Sequence, residues 1–147
     1  MATDGFTTCL WFDGQAEEAA NHYTSIFENS KLGKASPIGV EFELNGQKFF
    51  GLNGGPQHTF TEAISFQIFC DDQDEVDYYW TRLSEGGEES MCGWLKDRYG
   101  VSWQVIPKRF MEMMEDPDQE KVRRATEAML EMKKLDIEAL EKAYAGD

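Results

Sequence analysis

The pair Asn45-Gly46 limits what this chain can fold into more than any other feature. Both residues accept positive φ at little cost, so the pair predicts a tight hairpin turn. Before it, Val40, Phe42 and Leu44 alternate with Glu41, Glu43 and Asn45. After it, Gln47 to Leu52 reads as the returning strand. Asn53-Gly54-Gly55-Pro56 cannot easily continue a strand. A polar loop follows, and Ile64 to Cys70 is strand-like again.

The rest of the chain repeats or brackets this hairpin. Thr7 to Phe12 reads as a strand, Asp13 as a helix N-cap, and Gln15 to Phe27 as a helix. The helix carries Ala16, Ala19, Ala20, Tyr23, Ile26 and Phe27 near one face. Lys31 to Pro37 is a weak strand. Downstream, Asp71-Asp72 caps a second helix with Val76, Tyr79, Trp80 and Leu83 on its apolar face, and Gly86-Gly87 ends it. Ser90 to Lys96 supplies one or two short strands. Asp97 to Gly100 turns the chain, and Val101 to Ile106 returns. Ala19, Tyr23 and Ile26 recur 57 residues on as Val76, Trp80 and Leu83. Gly46 and Phe49 recur 54 residues on as Gly100 and Trp103. Element order and register agree, which predicts two copies of a βαβββ unit. The fold class is therefore α+β: two βαβββ modules, residues 1–56 and 57–107, forming a cupped mixed sheet, followed by a helical extension over 108–147.

In that extension, Arg109 to Glu115 reads as a short helix, and Asp116-Pro117 as a capped restart with Pro at the first helical position. Val122, Ala125, Met129 and Met132 form an apolar stripe that Leu135, Ile137, Leu140 and Tyr144 continue. The stripe must cover something, either the sheet of its own subunit or a second subunit.

Charge and cysteine content exclude several function classes. The formal net charge is −14 at 147 residues, with a pI near 4.5. Such a field repels nucleic acid and anionic membranes. No apolar run is long enough to span a bilayer. The start, MATDGFTTCLWF, lacks the basic beginning and long apolar core of a signal peptide, which predicts a cytoplasmic protein. Cys9, Cys70 and Cys92 are odd in number and lack metal-type spacing, so they read as reduced thiols.

Period-two alternation sorts the strand residues into two faces. Leu10, Phe12, Phe66, Ile68, Cys70, Val101, Trp103 and Val105 form an apolar set that should lie under the helices. Thr7, Cys9, Trp11, Ser65, Gln67, Phe69, Ser102, Gln104 and Ile106 form a mixed set of hydroxyls, amides, a thiol and aromatics. A sheet with one mixed face predicts a cup that takes a small molecule. Its candidate lining is Cys9, Trp11, Ser65, Gln67, Trp94 and Gln104. Each has a plainer role. Cys9 serves as a small hydrophobe, since no His lies at a matching spacing. Trp11 and Trp94 serve as core, and Gln67 and Gln104 bond to each other. Glu41 and Glu43 share the mixed parity of their strand, as a base or as a solvated face. No catalytic residue is assigned.

Five runs carry a family resemblance: Cys9–Tyr23, Leu52–Pro56, Glu62–Trp80, Cys92–Pro107 and Glu127–Leu140. The chain resembles the vicinal oxygen chelate (glyoxalase/bleomycin-resistance/dioxygenase) superfamily, and more narrowly its PhnB-like, or 3-demethylubiquinone-9 3-methyltransferase domain, group. The resemblance implies a glyoxalase-like fold, a homodimer and a small organic ligand. It also implies four metal-ligand positions on strands, which fall here on Thr7, Phe50, Ser65 and Gln104. Only Gln104 among them is a plausible ligand, and one amide oxygen does not hold a first-row metal. The expectation is therefore no metal and no S-adenosylmethionine, because Gly54-Gly55-Pro56 enters a loop rather than opening a helix. The implied function is small-molecule binding. The alternatives are a non-enzymatic sequestering protein and a metal-dependent lyase, isomerase or dioxygenase.

Overall fold

The computed structural model describes residues 3–147. The chain forms two compact units, one up to Phe60 and one from Thr61 onward. No described helix is long and apolar enough to cross a membrane.

The first unit runs β1 (Thr8–Phe12), α1 (Ala16–Ile26), β2 (Ser30–Ser36), β3 (Gly39–Leu44) and β4 (Gln47–Asn53). Its sheet order is β1-β4-β3-β2, with β1 parallel to β4 and the other pairs antiparallel. The expected turn forms at Asn45 (φ 50°) and Gly46 (φ 82°), both left-handed as a tight hairpin of this twist needs. α1 lays Ala16, Ala19, Ala20, Tyr23 and Ile26 on the sheet, all buried. The small residues bring helix and strand close: a Cβ on Gly51 would stand 3.2 Å from the Ala16 methyl. Tyr23, Phe42 and Phe49 stack in series beneath, at ring-centroid distances of 6.1 and 5.1 Å.

One capping expectation is corrected here. Asp13 does not cap α1; Gln15 holds the cap position without a side-chain bond. The carboxamide Oδ1 of Asn53, at the end of β4, accepts from the Ala16 N–H at 2.9 Å instead. An orphan helix donor takes any acceptor the tertiary fold delivers, and here a strand end supplies one.

The second unit repeats the plan: β5 (Ser65–Cys70), α2 (Gln73–Ser84), β6 (Glu88–Glu89), β7 (Trp94–Lys96) and β8 (Ser102–Pro107). Its order, β5-β8-β7-β6, matches that of the first unit strand for strand. Asp72 caps α2, accepting from the Glu75 N–H at 2.9 Å. Val76, Trp80 and Leu83 are buried, as are their counterparts in α1. Phe66 and Ile68, expected under the helices, are only half-buried.

The segment Ser90–Lys96 is not continuously extended. Cys92 (φ 61°) and Gly93 (φ 81°) are left-handed, and only Trp94–Lys96 is strand. Their N–H groups donate to the Met132 and Lys133 carbonyls at 2.7 and 2.8 Å, so the C-terminal segment takes the donors a ladder would use.

The extension is α3 (Lys108–Met114), α4 (Gln119–Leu130) and α5 (Ile137–Ala145). The cap of α4 is Asp118, not Asp116, and Pro117 precedes it. Asp116 instead accepts from the Asp118 N–H at 2.8 Å and from the Tyr144 hydroxyl. The apolar stripe is split by a break between α4 and α5, where Asp136 caps anew. Phe110, Met113, Ala125, Leu135 and Leu140 are buried together with Ile106 of β8, so the stripe covers its own chain.

Candidate functional site

On the first sheet, β1 pairs Cys9 with Phe50 and Trp11 with Leu52. Cys9 is exposed. Trp11 is half-buried under its own loop. Its indole N–H donates to the Gly55 carbonyl at 2.8 Å, and His58 meets the ring edge-on at 4.7 Å. Gly54 lies flat on the indole: a Cβ there would be 2.3 Å from the ring.

On the second sheet, the structure brings four predicted residues together. Gln67, Gln104 and Trp94 face one another in register across β5, β8 and β7. The Gln104 amide donates to the Ser65 hydroxyl at 2.8 Å, and the Gln67 amide reaches Gln104 Oε1 at 3.5 Å. The second contact is at the outer limit of a hydrogen bond. Cys9 and Trp11 belong to the first unit and these four to the second.

A groove of about 480 Å³ lies on the first sheet, and none of the six predicted residues lines it. Its lining includes Thr7, Lys31, Glu41, Glu43, Lys48 and Phe50, with Phe42 and Phe49 at its floor. The strand register explains the grouping. Lys31, Glu43 and Lys48 form one cross-strand row, and Glu41, Phe50 and Cys9 the next. The Lys31 ammonium lies 3.3 Å from the Glu43 carboxylate. Period-two parity already placed Glu41 and Glu43 on this face. What no single strand reveals is that Lys31 and Lys48 would stand beside them.

The residues present do not fit the groups such a fold can carry. Among the described residues, no three His, Cys, Asp or Glu side chains cluster closely enough to hold a metal ion. Phe50 has no lone pair to give, and Ser65 and Gln104 bond to each other. The loop glycines fit a methyl-donor cradle no better. The N–H groups of Gly54 and Gly55 both donate to the Phe12 carbonyl, at 2.9 and 3.3 Å, and so are not free for a ligand.

A family model described as 3-demethylubiquinone-9 3-methyltransferase matches residues 4–106. The PhnB protein from Bacillus cereus is 36% identical, with a TM-score of 0.64 over 69% of this chain and 98% of its own. Protein PA1353 from Pseudomonas aeruginosa is 19% identical, with a TM-score of 0.60 over 71% of this chain and 98% of its own. The fosfomycin resistance protein FosX from Listeria monocytogenes is 18% identical, with a TM-score of 0.53 over 72% of this chain and 91% of its own. The last two likenesses speak to fold alone. No curated protein matches the chain.

Proposed function

The chain belongs to the 3-demethylubiquinone-9 3-methyltransferase family, the PhnB-like group of the vicinal oxygen chelate superfamily, and from that footing we propose that it binds a small organic molecule on the mixed face of its sheets, without a divalent metal. The observation that carries this reading is the groove of about 480 Å³ on the first sheet. That volume falls in the range of small-molecule sites. Cys9 and Trp11 adjoin it on the same strand face, and the polar row of Ser65, Gln67, Trp94 and Gln104 is the matching face of the second sheet.

Binding, rather than metal-dependent turnover, is what these side chains support. Thr7, Phe50, Ser65 and Gln104 offer hydroxyls, one amide and a benzene ring. That set lacks the imidazoles and carboxylates that a catalytic first-row metal needs. FosX has been crystallised with Mn(II) and sulfate, but at 15% identity that metal stays with FosX. A sequestering role is the same reading without turnover. The family resemblance further supports a homodimer.

Native mass spectrometry of the protein as purified tests the proposal. The expected spectrum is a metal-free dimer, with any retained small molecule lost on Phe50→Ala. A stoichiometric divalent ion that survives desalting would sink the proposal and favour a metal-dependent enzyme. A turnover assay on any ligand so identified then separates binder from enzyme. Phe50→Ala should change affinity and leave no rate to lose.

A further inference from the structure

Resting on the groove reading above, we infer that the ligand class is a zwitterion with an apolar middle: an anionic group at one end, a protonated amine at the other. The groove is a patterned surface rather than a generic solvated face. Residues 3–60 contain three lysines and no arginine, and two of those lysines, Lys31 and Lys48, line the groove. In a chain of net charge −14, that concentration marks a place where an anion is tolerated.

The two lysines differ. Lys31 is neutralised by Glu43 at 3.3 Å. Lys48, though opposite Glu43 in register, makes no ion pair among the described residues. Thr7 lines the same groove, and β1 runs beside β4 from Thr8 opposite Phe49. A mobile ammonium and a rotatable hydroxyl donor suit a carboxylate or phosphate.

One row further along, Glu41 stands opposite Phe50 and likewise makes no ion pair among the described residues. Its flank is kept open by a glycine: a Cβ on Gly33 would lie 2.9 Å from Glu41 Cβ and 3.3 Å from its carboxylate. The register shift of β2 between Leu32 and Ala35 sits at the same place. Phe50 adjoins both charged residues: it is the cross-strand partner of Glu41 and lies two residues from Lys48 on the same strand. Its ring is packed over Gly39, where a Cβ would come within 2.6 Å of it, so its position is fixed rather than free. Lys48 and Glu41 are diagonal neighbours across the β3–β4 pair, roughly 7–8 Å apart at the backbone. A ligand that satisfies both must bridge about one aromatic ring.

The test uses three probes on the full chain, read by amide chemical-shift mapping: para-(aminomethyl)benzoate, benzoate and benzylamine. The zwitterion should bind about tenfold or more tighter than either single-charge probe, the scale of one charge-assisted hydrogen bond. Its shifts should centre on residues 41–50. Lys48→Met should reduce it to the level of benzylamine, and Glu41→Gln to that of benzoate. If all three probes bind alike and Phe50→Ala abolishes all, the groove is a ligand site but the zwitterion class is wrong. If no probe perturbs the groove, the zwitterion class and the groove reading fall together.

Discussion

Asp97 is nearly inaccessible, at 2% exposure. Its Oδ1 accepts from the N–H groups of Tyr99 and Val101 at 2.9 and 3.0 Å, and its Oδ2 from the Trp103 indole at 2.9 Å. A buried carboxylate survives only when its lone pairs are filled this way. Asp97→Ala strands three donors, and we expect a loss of about 3 kcal/mol or more in urea unfolding. Asp97→Asn keeps Oδ1 but turns an NH₂ toward the indole N–H, so its loss should be real and smaller. An Asn variant as damaging as Ala would mean that charge, not geometry, holds the turn. The sequence announced a turn at Asp97 to Gly100. It gave no sign of the buried acceptor, because Trp103 supplies the third donor from the next strand. Cysteine reactivity is the second residue-scale expectation. Burial pushes the Cys70 thiol up to about 12, with Glu75 adding to the shift. A folded value above the unfolded one makes this contribution to stability full below about pH 9 and lost progressively as pH rises toward 12. At pH 8, an aromatic disulfide reagent should modify exposed Cys9 readily and Cys70 only after unfolding.

At the scale of elements, the C-terminal helices are held by a few polar clasps laid over an apolar seam. The Gln73 amide donates to the Leu135 carbonyl at 3.0 Å and to Asp77, while its oxygen accepts from the Ile137 N–H at 2.8 Å, the first helical residue of α5. Gln73→Ala should lower hydrogen-exchange protection across α5 by about tenfold, with the amides of α1 unaffected, as one or two net hydrogen bonds require. Acid should loosen the same helices. The Tyr144 hydroxyl holds Asp116 below the usual carboxylate range, Arg109 does the same to Glu141, and Arg123 to Glu120. Lowered folded values mean that this stabilisation is present above about pH 4.5 and lost as pH falls through the lowered values. Circular dichroism between pH 6 and 3 should show helix loss, and Tyr144→Phe should flatten that slope. Element identity was largely legible in the sequence, because period and turn residues are local signals. The caps were not: Asp13 and Asp116 were reasonable local choices. Asn53 and Asp118 hold those helix starts instead, since capping follows where the chain is led in three dimensions.

For the whole molecule, duplication and charge dominate. Each unit has the same strand order, and Ala19, Tyr23 and Ile26 are buried where their counterparts Val76, Trp80 and Leu83 are. Spacing arithmetic could find this repeat because both helices bury apolar residues at the same three spaced positions. The groove was only half legible. Parity put Glu41 and Glu43 on the right face, while Lys31 and Lys48 joined them through cross-strand register, which no single segment contains. At net charge −14, self-repulsion opposes the compact state. Raising NaCl from about 20 to 500 mM, which shortens the screening length from tens of ångströms to a few, should raise the thermal midpoint. A fall would mean that the surface ion pairs outweigh the repulsion.

Strand β3 writes two messages in alternate letters. Val40, Phe42 and Leu44 are spent on the interior, and Glu41 and Glu43 on the groove. Inheritance can therefore revise one without rewording the other. Substitutions at the odd positions would retune what is recognised while the even ones go on specifying the fold. A single-residue insertion in the strand would be a frameshift in space, trading every core side chain for a groove side chain at once.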